Sequence, residues 1–327
     1  MKNIAYIIVT ALIITSCVGN DKLMLPTAVG KINKVMVVTK SSTWLGDVGK
    51  EIRNTFGELM VGLPQPEPKM SVSQVAPNGF SSMMKSGRNI LILEESDTEQ
   101  FAIKHNVYAK PQIVIYLSAN GKEGLIEQFK KHKTEILNAY RNSDLKSVQK
   151  VFTKERLDDS TYKTLQNLGI SFTIPDKFRT VDDTGEFLWL RHHLTSGIAK
   201  TGSNNILVYA LPLKDESKIA ENIVAVRDSI GKKYIPGSDP KTMHMITEEA
   251  YTPFTFDATV AGKKAYETRG KWEVKNDFMA GPFLNYTIID KTNNRLIVFE
   301  GFTYAPSVNK REFIFELEAI AKSMVIK

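Results

Sequence analysis

The sequence predicts a mixed α+β fold of two sheet-and-helix domains, the second a largely antiparallel sheet flanked by helices. Residues 31–168 alternate short apolar runs with stretches of helical periodicity, the pattern of strands and helices stacked around a small sheet. Residues 170–304 change character and become mostly strand-like runs separated by turn residues. A final stretch carries one apolar helical face. The 327 residues suggest about two domains. We place a signal peptide at 1–16, a lipidated tether at 17–30, an N-terminal α/β domain at 31–160 and a C-terminal α+β sandwich domain at 161–327.

The opening is the most specific stretch. Lys2 precedes an almost unbroken apolar run at residues 4–14, which is too short for a membrane span and reads as an export signal. It ends in Ile14-Thr15-Ser16-Cys17, which resembles a bacterial lipobox. That resemblance implies acylation of Cys17, which would then become the first residue of the mature protein. Cys17 is the only cysteine, so a disulfide within the chain is excluded. Pro26 and Gly30 punctuate the tether.

The elements then follow in order. Val35, Val37 and Val38 mark a strand at 31–39. Leu45, Val48, Ile52, Phe56 and Leu59 recur at helical spacing and predict a helix over 43–59 with one buried face. Pro64, Pro66 and Pro68 break the pattern, leaving a loop or extended edge over 61–80. Apolar runs at 89–93 and 112–117 suit strands covered on both faces. An amphipathic helix at 121–141 and a further one at 144–168, ending at Gly169, complete the first half.

In the second half, strands fall at 170–174, 186–194 and 205–211. Asp215 can cap a helix bearing Ile219, Ile223, Val226 and Ile230, closed by Gly231. Strands at 255–260 and 264–274 precede a hairpin, 283–290 with 295–304, around residues 291–294. Asn309 with Glu312 makes a capping-box-like start to the last helix, which carries Phe313, Leu317, Ile320 and Met324.

Charge is ordinary. Lys and Arg number 43 against 36 Asp and Glu, a net +7 spread thinly, and no recognition motif points to nucleic acid. The densest run, Lys130, Lys131 and Lys133, reads as a solvated face, with contact to anionic lipid the alternative.

The motifs are weak. Residues 46–51 mimic a phosphate loop, but the glycines stand too close and Glu51 replaces the magnesium-binding hydroxyl. There is no Gly-x-Ser-x-Gly, while a serine triad assembled from distant residues stays open. His192 and His193 are adjacent on a strand and point to opposite faces, which disfavours a shared metal. His192 shares a face with Leu188, Leu190 and Leu194 and reads as a satisfied core histidine. Phe187, Trp189, Arg191 and His193 line the other face and form the best candidate binding surface, unless a helix packs over them. The acids at 182–186 read as a solvated turn, and Pro64–Pro68 as a stiff exposed loop rather than a polyproline ligand. Residues 271–283 are either a ligand loop or a connection plugged into the core by Phe278 and Phe283. The sequence implies no cofactor, no metal and no catalytic constellation.

Several segments carry a family resemblance: residues 61–68, Phe187-Leu188-Trp189-Leu190, residues 226–231, residues 249–254 and residues 276–283. On these the chain resembles an uncharacterised lipoprotein family of Bacteroidota, domain of unknown function 4837, over nearly all of its mature length. The C-terminal half is similar to the photosystem II P-protein and Mog1-like sandwich, a likeness that implies fold alone. The family resemblance implies a two-membrane envelope. Val18-Gly19-Asn20-Asp21-Lys22 offers one acid where outward export tends to need several, which favours an outer-membrane protein facing the periplasm over surface display.

The resulting expectation is a lipid-anchored envelope protein acting as a non-catalytic binding or assembly module. Its partners are membrane lipid through acylated Cys17 and an envelope protein. The alternatives are an envelope hydrolase acting on glycan or peptide, and a small-ligand binder with a cleft between the domains near 155–175.

Overall fold

The structure is a computed structural model that describes residues 24–194 and 201–327. Cys17 and the expected signal peptide lie outside the described residues.

The first half builds β1 (Lys34–Val38), α1 (Ser41–Leu45), α2 (Asp47–Phe56), β2 (Ser71–Val75), α3 (Ser82–Lys85), β3 (Asn89–Glu95), β4 (Gln100–His105), β5 (Ile113–Ala119) and α4 (Gly121–Phe152). The strands form one sheet in the order β2-β1-β3-β5-β4, parallel except for the β4 edge. Val35, Val37, Leu91 and Ile115 pack on Val48, Ile52 and Phe56 of α2 and on Leu125, Phe129 and Tyr140 of α4.

The helix expected over 43–59 is two helices split at Gly46, whose extended ψ of −164° ends the first. Leu45 on the short α1 falls out of phase with the buried face of α2, and α2 ends at Phe56 before reaching Leu59, so both leucines are exposed rather than buried. The stretch expected as a tether is docked from Pro26 onward: its carbonyl accepts the Lys110 N–H at 2.9 Å, and the Ala28 N–H donates to the Lys110 carbonyl at 3.1 Å.

The two helices expected at 121–141 and 144–168 are a single α4 to Phe152, followed by turns and α5 (Lys163–Leu168). Asp144, in the poor helix-forming stretch at 142–144, turns inward instead. Its carboxylate accepts the Asn33 backbone N–H at 2.8 Å and the Asn89 amide at 3.0 Å. Tertiary bonds of this kind override weak local propensity.

The second half adds β6 (Ile170–Ser171), β7 (Arg179–Asp183), β8 (Phe187–His193), β9 (Ser203–Pro212), α6 (Ile219–Tyr234), β10 (Met245–Thr247), β11 (Phe254–Val260), β12 (Lys263–Val274), β13 (Ala280–Asp290), β14 (Arg295–Tyr304), α7 (Arg311–Ala321) and β15 (Val325–Ile326). An antiparallel sheet runs β10-β12-β13-β14-β9-β8-β7, with β11 beside β12. The β13–β14 hairpin turns through Asn294 in the left-handed region at φ 48°. This is the α+β arrangement the sequence predicts.

The sheet has two buried faces. On the inner face Leu188, Leu190, Val208, Leu284 and Phe299 meet Phe315 and Leu317 of α7 and Leu145, Val148 and Phe152 of α4. Helix α4 therefore contributes its first half to one core and its second half to the other. The outer face is crossed by α6. No helix among the described residues is long and apolar enough to cross a membrane.

Two expected caps differ. Helix α6 continues past Gly231 to Tyr234, because this glycine serves a close approach: a Cβ there would sit 2.1 Å from the Met245 carbonyl oxygen. Helix α7 has no cap from Asn309. The Glu67 carboxylate reaches in from the proline-rich segment and accepts the N–H groups of Lys310 at 2.6 Å and Arg311 at 3.1 Å. Glu67 is accordingly buried within the segment expected to be an exposed loop.

Candidate functional site

Strand alternation puts every second residue of the large sheet on its outer face, and the register aligns them into rows. Phe187, Tyr209, Val298 and Thr287 form one row; Trp189, Leu207, Glu300 and Asn285 form the next; Arg191, Asn205, Phe302 and Phe283 form a third. Helix α6 lies across them, facing inward with Ile219, Ile223, Arg227 and Gly231 at helical spacing. It covers the middle of the face and leaves one cleft along its N-terminal half and another past its C-terminal end.

The larger cleft encloses about 510 Å³, inside the range of about 300–1,000 Å³ typical of small-molecule sites. Its walls are Leu211, Leu296 and Val298 from the sheet and Ile219, Ile223 and Val226 from α6. Tyr209, Asn285 and Thr287 make the floor, and Lys214, Asp215, Lys218 and Asn222 the rim.

The polar floor continues as a chain under α6. Thr287 Oγ1 donates to Asn285 Oδ1 at 2.9 Å, and Asn285 Nδ2 donates to Glu300 Oε2 at 3.1 Å. Arg227 Nε lies 3.0 Å from Glu300 Oε1 as a charge pair without hydrogen-bond alignment. Arg227 Nη1 donates to Thr247 Oγ1 at 2.9 Å, and its guanidinium sits 4.0 Å from the Phe283 ring centroid. Burial raises the Glu300 carboxyl above its ordinary range, and Arg227 pulls against that rise. Burial and the Glu300 charge likewise push the Tyr209 hydroxyl up.

The smaller cleft, about 350 Å³, takes in three residues of the predicted row, Trp189, Arg191 and His193. Trp189 Nε1 and Arg191 Nε both donate to Asn205 Oδ1 at 3.0 Å, and the guanidinium lies 4.7 Å from the Trp189 ring. Burial lowers the Arg191 pKa. Phe187 does not join them: it stacks on Tyr234 of α6 at 3.9 Å between centroids.

The model of a domain of unknown function, DUF4837, matches residues 157–323, which carry both clefts and more than half of the chain. The chain belongs to the DUF4837 family. A second domain of unknown function, DUF8532, matches residues 28–153. No curated protein matches this DUF4837 chain. Among solved structures it is similar to LpqN of Mycobacterium tuberculosis, described as involved in cell envelope biogenesis, at 13% identity and TM-score 0.32 over 48% of this chain and 83% of that one. It is also similar to the Ran-binding protein Mog1p of Saccharomyces cerevisiae, at 11% identity and TM-score 0.33 over 48% of this chain and 90% of that one. The Mog1-like similarity expected from the sequence is thus found, at these low identities.

Other singled-out residues of the DUF4837 protein fall elsewhere. His192 packs its ring 5.6 Å from Phe178, but its Nδ1 is buried without a partner among the described residues, so it is not the satisfied core histidine expected. Burial, with help from Lys177, His193 and Arg179, lowers it to about 4. Asp183 is no solvated turn residue: it accepts the backbone N–H groups of Lys163 and Thr164 and so holds the start of α5. Phe283 is buried, whereas Phe278 at the β12–β13 hairpin tip is fully exposed. Among the described residues no three His, Cys, Asp or Glu side chains converge as a metal site would need.

The larger cleft escaped the sequence reading because its walls look like ordinary core. Its signal was polar residues at core-facing positions of long apolar strands, Asn285, Thr287 and Glu300, together with Arg227 on the apolar stripe of α6.

Proposed function

We propose that this DUF4837 protein is a lipid-anchored envelope protein whose large sheet serves as a non-catalytic binding module, holding a small, mostly apolar molecule in the cleft beside α6. The anchor and the address rest on Lys2, the apolar run at 4–14 and the lipobox-like Ile14-Thr15-Ser16-Cys17. The outer membrane facing the periplasm is the placement this reading takes, from the sparse acids after Cys17. The binding role rests on one observation: a cleft of about 510 Å³ with apolar walls and a few polar groups gathered on its floor.

Two measurements test this reading. Mass spectrometry of the mature amino terminus is expected to find acylated Cys17; an unlipidated product beginning elsewhere sinks the anchor. Native mass spectrometry of the protein released from envelopes is expected to find a co-purifying small molecule that is absent from Val298→Trp. Equal loading of that variant sinks the cleft.

A second reading, assembly with an envelope protein, is favoured by Phe278, an aromatic ring wholly in solvent beside Met279. Crosslinking in native envelopes followed by capture tests it. Phe278→Ser is expected to abolish recovery of a stoichiometric partner, and unchanged recovery removes Phe278 from the interface.

A further inference from the structure

We infer that the ligand of the α6 cleft is a single acyl chain ending in an anionic head, such as a fatty-acid carboxylate; this deepens the binding reading and rests on it. The body of the cleft selects for a chain. Leu211, Leu296, Val298, Ile219, Ile223 and Val226 offer hydrocarbon on both sides. Two of the three floor residues are already bonded, Thr287 to Asn285 and Asn285 to Glu300, so they make little demand on a ligand, and the Tyr209 hydroxyl is the one floor group without such a bond among the described residues. A polar ligand body would leave its own groups unpaired against these walls, at a cost that a methylene chain avoids.

The mouth selects for a negative head. Among the described residues Lys214 and Lys218 have no carboxylate within ion-pair distance, although they flank two acids. Asp215 accepts from the Ser217 N–H at 3.0 Å and the Ser217 hydroxyl at 2.7 Å. Glu216 is held by Lys291 at 2.6 Å and Lys264 at 3.5 Å. Glu216 is therefore paired, whereas Asp215 keeps its charge beside neutral Ser217, so among the described residues the rim sets two unpaired ammonium groups against one carboxylate and is net positive toward a head that lies there while its chain fills the groove. Rim charges of this kind add orientation and modest affinity, and salt screens them.

The test uses the full mature chain bearing Cys17→Ser, which is unacylated and free of competing lipid. Laurate, dodecanol and dodecyltrimethylammonium are titrated calorimetrically. Laurate is expected to bind one to one, about five- to tenfold tighter than dodecanol, since each exposed ammonium contributes at most about a fivefold factor. The cationic amphiphile is expected to bind weakest. Lys214→Gln/Lys218→Gln is expected to bring laurate down to the level of dodecanol, and Val298→Trp to abolish both. Because Val298→Trp could fail to fold, Asn222→Trp, at an exposed rim position, is the second blocking variant. Equal affinity for laurate and dodecanol, unmoved by the lysine substitutions, overturns the anionic head and leaves the cleft standing. Absence of binding by any chain, or binding indifferent to both tryptophans, overturns the cleft reading itself.

Discussion

Glu67 caps a helix that begins more than two hundred residues later: its carboxylate accepts the Lys310 backbone N–H at 2.6 Å, across a separation of 243 residues. The second carboxylate oxygen takes the Arg311 N–H at 3.1 Å, and the Arg311 guanidinium returns to the Pro68 carbonyl at 2.9 Å. The proline-rich segment and α7 are therefore clasped in both directions, one end in each half of the chain. An anionic acceptor at a helix start satisfies orphan donors and meets the positive end of the helix dipole.

Removing this cap is expected to destabilise the protein by about 2 kcal/mol in Glu67→Ala, the upper end for a lost N-cap because the donors are left buried. Glu312→Ala, which removes the acid of the local capping box, is expected to cost less, about 1 kcal/mol, since it takes away one half-buried acceptor, that of the Asn33 amide at 3.1 Å. Urea unfolding of the two variants measures the difference. A reversed order would return the cap to the local sequence.

Gly231 carries a second prediction. Its backbone is helical, so Gly231→Ala should gain helix propensity if the residue were merely a helix stop. The Met245 carbonyl oxygen 2.1 Å from the added Cβ dictates the opposite. The β10 strand would have to move off α6, and the variant is expected to lose about 1–3 kcal/mol, the usual cost of overpacking. Thermal unfolding reads the sign directly.

These residues show how much was legible. Val48, Ile52 and Phe56 were readable because a helix buries one face at fixed spacing, and so were Leu188 and Leu190 against Phe187 and Trp189 because a strand alternates. β4 and β7 were not, because an edge strand is half solvated and its mixture of Gln100, Lys104, Arg179 and Asp182 resembles a loop. The Glu67 cap left no local trace, since helix signatures are read over three or four residues. The larger cleft is assembled from β9, β13, β14 and α6, and only folding brings Lys214 and Lys218 to the mouth of a groove walled by Leu296 and Val298.

Stability should carry two opposed pH dependences. Burial raises the Asp144 carboxyl to about 6 from 3.8, against the pull of the Asn33 and Asn89 donors and the Arg88 charge and with some help from Glu312. The folded state thus prefers the protonated acid: this stabilisation is full below the unfolded pKa and is lost as pH rises through about 6. His192 works the other way. Lowered to about 4 from 6.5, it is neutral in the fold, so its contribution is full above 6.5 and is lost as pH falls toward 4. Asp144→Asn keeps an acceptor for Asn33 and Asn89 but cannot ionise. Relative to the parent it is expected to gain about 2 kcal/mol of stability between pH 4.5 and 7.5. His192→Gln is expected to flatten the remaining acid-side loss. Urea midpoints at the two pH values decide both.

The Arg227–Glu300 pair beneath α6 yields the last prediction. Both side chains are about 1% exposed and meet at 3.0 Å, so neither charge has water to fall back on. The pair is poorly aligned, and Arg227 Nη2 has no hydrogen-bond partner among the described residues. Its net value against an apolar pair is therefore small, while the loss of one partner leaves a buried charge uncompensated. Glu300→Leu and Arg227→Met are each expected to cost about 3–5 kcal/mol, whereas Arg227→Met/Glu300→Leu is expected to return to within about 1–2 kcal/mol of the parent. A double-mutant cycle by denaturant unfolding measures this coupling. The same proteins separate structure from binding, because Asn285 hands Glu300 to the cleft floor. If the double variant is stable and still binds laurate, the chain of polar groups supports the sheet alone. If it is stable and binding is lost, the charge under α6 sets the shape of the floor that the ligand meets.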